Sequence, residues 1–180
     1  MLVFDSLRIT PLRLLRSRLL RPFAGRLLDR RLWRPAPHTI GLGIALGLFF
    51  GIVSPVAQIF LAALAATVLR ANLMAAAVAT LVTNPLTAPP IYLAAYRLGA
   101  ELLPWLVPTL DAALIPQLEA FSFDALQAMW QGMSLGWAGL SFAIGLVLIA
   151  CASAIVGYLV AWLVMRGVAS RQLAAAARPG

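Results

Sequence analysis

Charged and reactive side chains are scarce in this chain. Only 11% of its 180 residues are charged, lysine is absent, and cysteine and histidine occur once each, as Cys151 and His38. A single cysteine cannot form an intrachain disulfide, and the apolar run around it predicts a small packing residue. His38 stands alone between Pro37 and Thr39, where no other metal-binding side chain accompanies it.

These absences bear on function. The acidic residues are Asp5, Asp29 and a group of four between Gly99 and Gln131, so no paired carboxylates fall within a long hydrophobic segment. The sequence also has no metal-ligand cluster, no Ser/His/Asp set and no glycine-rich phosphate loop. We therefore predict that the protein is not an enzyme and uses no cofactor or metal.

Hydrophobic residues fill most of what remains. They make up 62% of the chain, and the mean hydropathy is +0.92, far from the average of soluble domains. Three charge-free stretches, Pro35–Leu69 (His38 apart), Ala71–Tyr96 and Ala125–Met165, each exceed the roughly 20 residues that cross a bilayer core. The sequence predicts an all-α integral membrane protein.

The arginines predict its orientation. Nine of the fourteen lie between Arg8 and Arg34, and basic residues beside hydrophobic segments remain on the cytoplasmic side. Three more follow the last hydrophobic stretch, whereas the charges between Gly99 and Gln131 are all acidic. Both termini are predicted to be cytoplasmic, with attraction of the basic arm to anionic membrane lipids favoured over nucleic acid.

This orientation divides the chain into five regions. They are a basic cytoplasmic juxtamembrane region (1–37), a membrane domain with two broken hydrophobic segments (38–100), an external interfacial loop (101–131), a C-terminal transmembrane helix (132–166) and a cytoplasmic tail (167–180).

Each of the first two hydrophobic segments is interrupted by proline beside polar side chains. Pro55 divides Ile40–Leu69 into halves too short to span alone, which predicts either a re-entrant hairpin or one kinked, tilted helix. The stretch Thr83–Pro90 holds three prolines and Asn84, and it frees backbone groups that lipid cannot hydrogen-bond. We expect the two breaks to face each other.

Small residues recur every four positions along these segments. Gly43, Gly47 and Gly51 share one predicted helix face, which permits close approach of a second helix. A second face of this kind runs from Ala71 through Ala75 and Ala79 to Thr83, and the last segment carries further small pairs. We predict tight helix packing and a homo-oligomer.

The candidate substrate-binding residues lie at the breaks and segment ends. The arginines can hold an anion such as a lipid phosphate through paired hydrogen bonds, or they can serve only as topology signals. For Asn84 the functional and structural interpretations carry equal weight. The candidate set is Arg70, Arg97, Asn84, Pro85, Thr87, Gln58 and Tyr96.

The region from roughly Trp33 to Leu103 resembles a bacterial membrane-protein family catalogued as domain of unknown function 2062. The similar motifs are the glycine-spaced helix, Pro55 with Gln58, Arg70-Ala71-Asn72, Asn84-Pro85-Leu86-Thr87 and Tyr96-Arg97-Leu98-Gly99. The resemblance implies a small protein of the bacterial inner membrane and no particular activity. The chain departs from the family's common Pro-x-x-Gly-x-Gln pattern, since it has Pro55-Val56-Ala57-Gln58.

Three functional hypotheses follow. The first is a small transporter or lipid translocase for an anionic substrate, with a midplane cavity at the two breaks. The second is a non-transporting membrane scaffold or accessory subunit, whose glycine faces would pack against a partner protein. A water or small-solute channel is the third, and it rests on the Asn-Pro break alone.

Overall fold

The computed structural model describes residues 36–109 and 136–176, and these residues are helical with short turns and no strand. Most of the predicted basic region, most of the predicted external loop and the end of the tail lie outside the described residues. The helices are α1 (Pro37–Val53), α2 (Gln58–Leu69), α3 (Leu73–Ala79) with a 3-10 turn (Thr80–Val82), α4 (Ala88–Leu106) and α5 (Trp137–Ala176).

The chain reverses direction at Pro55. The end of α2 returns to the beginning of α1, where the Asn72 amide donates a hydrogen bond of 2.8 Å to the Thr39 carbonyl. A buried cluster of Ala62, Ala66, Ala71 and Ala76 packs against large side chains of α1. The first segment is therefore a helical hairpin of α1 and α2, and the alternative of one kinked helix is wrong.

Helix α3 then runs alongside α1 in the same direction. A Cβ atom at Gly43 would lie 2.5 Å from the Asn72 carbonyl oxygen, and one at Gly51 would lie 3.0 Å from the Thr80 carbonyl oxygen. Between them, Gly47 faces the Ala76 carbonyl. The predicted close approach at the glycine face is confirmed, and α3 is the helix that occupies it. Asn72 caps α3 by accepting from the Ala75 amide at 2.8 Å.

Helix α5 runs antiparallel to α1 and α4, which lie one after the other along it. Gly157 faces Ile44 and Leu48 of α1, whereas Gly145 faces the Ala95 carbonyl of α4. With 40 residues, α5 is about 60 Å long, so each partner covers part of its length. The helix also continues ten residues past the predicted boundary at Met165–Arg166, where alanine, leucine and arginine are strong helix formers.

The three helices α1, α4 and α5 meet in the first third of α5. Ile52 from the end of α1, Ala95 from α4, and Leu146 and Ala150 from α5 form one buried cluster. Because α4 starts where α1 ends, this cluster lies at the same level along α5 as both proline breaks, residues 54–57 and 84–87. Among the described residues, α5 alone is long and apolar enough to cross a membrane, and only 11% of its most apolar window is buried.

Candidate functional site

The two proline breaks lie together at one end of the α1–α3 unit. Residues 54–57 form the first break and residues 84–87 the second, and we call these the paired proline turns. In both, one residue outside any helix or turn is followed by a three-residue turn that contains proline and leads into a helix. Thr83 joins them, because its hydroxyl contacts Gly51 and Gln58 on either side of the first turn.

The contact between the breaks has a cause in the sequence. Pro55 stands four residues after Gly51 and has no N–H, so the Gly51 carbonyl loses its intrahelical donor. The Thr83 hydroxyl replaces that donor at 2.6 Å, and Thr83 is only 7% exposed. Its oxygen also lies 2.9 Å from Oε1 of Gln58 and 3.4 Å from the Thr80 carbonyl oxygen.

The second turn satisfies its polar groups largely from within. Oδ1 of Asn84 accepts from the amides of Leu86 at 2.9 Å and Thr87 at 3.1 Å. The backbone N–H of Asn84 donates to the Thr87 hydroxyl at 3.0 Å, and that hydroxyl donates to the Val82 carbonyl at 2.6 Å. These bonds give Asn84 and Thr87 a structural role, since they hold the turn that Pro85 imposes.

The tips of the turns are exposed and apolar. Val56 is 95% exposed and Leu86 is 84% exposed, and Pro55 and Pro85 beside them are exposed as well. Each turn therefore presents an aliphatic side chain outward, and in the second turn the polar side chains bond to backbone.

The structure separates the two candidate arginines. Arg70 follows α2, whose twelve residues set it about 18 Å from the first turn. Arg97 lies nine residues into α4, about 14 Å beyond the second turn in the opposite direction. The backbones of Arg70 and Arg97 are therefore about 30 Å apart, too far for both guanidinium groups of one copy to bind the same phosphate group.

Tyr96 is 2% exposed and packs with Leu103 in the cluster between α4 and α5. Tyr92, one turn earlier, makes an edge-to-face contact with Phe142 at 5.6 Å between ring centroids. Both rings are therefore packing elements of the α4–α5 interface rather than groups at the paired proline turns. The hydroxyl of Tyr92 is buried there without a hydrogen-bond partner.

Arg70 has a left-handed backbone with φ of 56° at the end of α2. That conformation costs a side-chain-bearing residue roughly 1 kcal/mol or more and costs glycine little. We expect Arg70→Gly to melt at a higher temperature than Arg70→Ala, with a difference of about 1 kcal/mol in the free energy of unfolding. Equal melting of the purified variants would contradict this account of the turn.

The candidate set lacks Thr83, which the sequence analysis places on a small-residue face and at the start of the Thr83–Pro90 stretch. A usable signal was present, because Pro55 removes the donor for Gly51 and a hydroxyl at the other break can replace it. Within residues 36–109 and 136–176, no three side chains of the His, Cys, Asp and Glu types lie together as a metal site would need.

Searches of curated proteins and of solved structures gave no match to this chain. A family description does match, and it covers residues 20–174. This range extends well beyond Trp33–Leu103, the stretch that carries the motifs described above. The chain therefore belongs to the bacterial family DUF2062, described as an uncharacterized protein conserved in bacteria.

Proposed function

We propose that this protein is a non-enzymatic lipid translocase or small transporter of the bacterial inner membrane, and that it handles an anionic substrate such as a lipid phosphate. In this proposal α1 and α2 form a re-entrant hairpin, α3 and α4 form a broken span, and α5 returns to the cytoplasm. The carrying observation is that two proline turns meet beside α5 at the level of about residue 148, roughly midway between Trp137 and Trp162, and broken segments meet near the midplane in many transporters.

Aromatic residues support a membrane position. Trp137 and Trp162 of α5 are 25 residues apart, or about 38 Å, which matches a hydrocarbon core of about 30 Å flanked by tryptophan at both interfaces. Arg166 stacks over the Trp162 ring at 4.6 Å, as suits the cytoplasmic interface. Trp105 is 82% exposed, and its neighbour Leu103 packs at the Trp137 end of α5.

The outward face of α5 is aliphatic. Between the two tryptophans, most of its exposed side chains are large and apolar, as lipid contact requires. The large ones are Leu140, Val147, Leu148, Ile155, Val156, Leu159 and Val160, and the small side chains Ala143, Cys151 and Ala152 are exposed among them.

The register along α5 gives the depth of the turns. Ile52 belongs to one buried cluster with Leu146 and Ala150, so the end of α1 is level with about residue 148. That level is about 17 Å from Trp137 and about 21 Å from Trp162 along the helix axis. In the proposed membrane position, the paired proline turns therefore lie close to the bilayer midplane.

The two arginines would then form two separate phosphate-binding sites. Arg70 is near the start of α1, because its neighbour Asn72 bonds to Thr39 there, and this is the cytoplasmic side. Arg97 lies between Ala95 and Gly99, which pack against residues 141–145 of α5, on the opposite side of the turns. A guanidinium on each side of the midplane can bind the phosphate before and after it crosses.

A vesicle assay tests this function. Purified protein in liposomes is expected to move a fluorescent anionic phospholipid between leaflets faster than empty liposomes do. Arg97→Ala and Arg70→Gly each remove one proposed phosphate-binding site. Loss of a charge-assisted hydrogen bond predicts a rate of lipid movement about tenfold lower. Arg171→Ala, an exposed charge beyond Trp162, is the control and should keep the wild-type rate. Equal rates in all vesicles, empty ones included, would refute translocation.

The second candidate is a non-transporting membrane scaffold or accessory subunit. It is favoured by the internal hydrogen bonding of the second turn, which leaves Oδ1 of Asn84 and the hydroxyl of Thr87 committed to backbone. The glycines of α1 and α4 already pack within the chain, so a partner protein or a second copy would have to use exposed apolar side chains, which α2, α3 and α5 all present. A single dominant cross-linked partner, together with no lipid movement, would favour this function.

A further inference from the structure

The hydroxyl of Thr83 lies near more acceptor oxygens than it can donate to. Its hydroxyl oxygen lies 2.6 Å from the Gly51 carbonyl oxygen, 2.9 Å from Oε1 of Gln58 and 3.4 Å from the Thr80 carbonyl oxygen. A hydroxyl carries one proton and can donate to only one of these oxygens at a time. The cluster is thus rich in lone pairs at a position where Thr83 is 7% exposed.

The backbone reinforces this negative character. Gly51 belongs to the last turn of α1 and Thr80 to the 3-10 turn that ends at Val82, and the carbonyls at helix ends carry partial negative charge. Pro55 has no N–H to return to Gly51. Two helices begin near the cluster: α2 starts at Gln58, and its first-turn N–H groups oppose this charge, whereas α4 starts with Ala88-Pro89-Pro90, and its first turn offers fewer N–H groups.

We propose that Gly51, Gln58 and Thr83 bind a monovalent cation of the size of sodium. The Thr83 proton would turn to the Thr80 carbonyl, which frees lone pairs of the hydroxyl, the Gly51 carbonyl and the Gln58 amide to face the ion. Neutral, closely spaced oxygens suit a small monovalent ion, and helix ends with unwound carbonyls bind such ions in broken-helix transporters. This inference rests on the proposed function, for which the ion would be the coupling ion.

A rival arrangement uses no ion. If the Gln58 amide is turned by 180°, its NH₂ group donates to Thr83 while Thr83 donates to Gly51, and every group is paired. The two arrangements differ in one measurable respect, because only the first makes the stability of the protein depend on which cation is present.

The test uses purified full-length protein in nanodiscs, with sodium chloride replacing choline chloride at constant ionic strength. Sodium is expected to raise the melting temperature saturably, by roughly 5 °C at high occupancy, and potassium is expected to raise it less. Thr83→Ser keeps the hydroxyl and should keep the response. Thr83→Val and Gln58→Leu should abolish it, whereas Thr67→Val should not, because the Thr67 hydroxyl bonds at 2.8 Å to Ala63 within α2.

Equal melting temperatures in sodium, potassium and choline, together with no binding of radioactive sodium by the wild type, would overturn the cation site. Sodium binding to the wild type also decides the matter if Thr83→Val does not fold. The result distinguishes the cation site from the proposed function. Stabilisation by sodium without lipid movement would support the cation site and refute the translocase. Lipid movement that does not depend on sodium, without stabilisation, would support the translocase and refute the cation site.

Discussion

Replacing Gly145 by alanine is expected to destabilise the protein by about 3 kcal/mol, at the upper end of the cost of overpacking. A Cβ atom at Gly145 would overlap the carbonyl of Ala95, and one at Gly99 would overlap the carbonyl of Ser141. The obstructing atoms belong to backbone, so no rotamer change can relieve the overlap. The helices α4 and α5 would have to separate, which would open the cluster around Ile52 and release the paired proline turns. Melting temperature and the monodisperse fraction in gel filtration would measure the loss.

The predicted destabilisation by Gly145→Ala is opposite in sign to the usual effect of replacing a helical glycine by alanine. In an exposed helix interior, glycine to alanine stabilises by about 1 kcal/mol. Gly167, on the same helix α5, has no atom within 4 Å of its added Cβ, and Gly167→Ala is therefore the matched control that should be neutral or stabilising. If Gly145→Ala and Gly167→Ala melt alike, the described packing of α4 on α5 is wrong.

Gly47→Ala is expected to have the second largest effect, also about 3 kcal/mol. The added Cβ would overlap the Ala76 carbonyl of α3 and would come within 2.5 Å of the Ala79 Cβ. Here too the nearest obstacle is backbone, and α3 is held at its start by the bond between Asn72 and Thr39. The substitution should loosen α3 from α1 and thereby weaken the contact of Thr83 with Gly51.

Gly51→Ala offers a graded comparison for this contact. Its added Cβ would lie 3.0 Å from the nearest atom, the Thr80 carbonyl oxygen, so a shift of a few tenths of an ångström could accommodate it. Gly47→Ala should therefore melt at a clearly lower temperature than Gly51→Ala. The reverse order would mean that α1 and α3 do not approach each other as described.

Local pattern in the sequence was enough to predict the glycine face and the presence of both breaks. A run of glycines at four-residue spacing has few uses other than close packing, and Pro55 cannot continue a helix without losing a backbone bond. Those features depend on residues near each other in the chain, and the structure has both of them.

The direction of the chain after each break could not be predicted in the same way. The two turns share one local plan, yet α2 folds back on α1, whereas α4 continues away from it along α5. Packing of Gly99 and Gly145, 46 positions apart in the chain, determines that path. The positions of Arg70 and Arg97 depend on that path, so the distance between these two candidate residues could not be predicted from local sequence pattern.

The central claim is that the paired proline turns lie near the middle of a bilayer, and depth measurement tests it most directly. A fluorescent label would be attached to Val56→Cys or Leu86→Cys in a Cys151→Ser background, since both tips are highly exposed and Cys151 is an exposed free cysteine. In bilayers of lipids brominated at different chain positions, we predict the strongest quenching of both labels by bromine near the chain ends. Strongest quenching near the headgroups, or none at all, would contradict the claim.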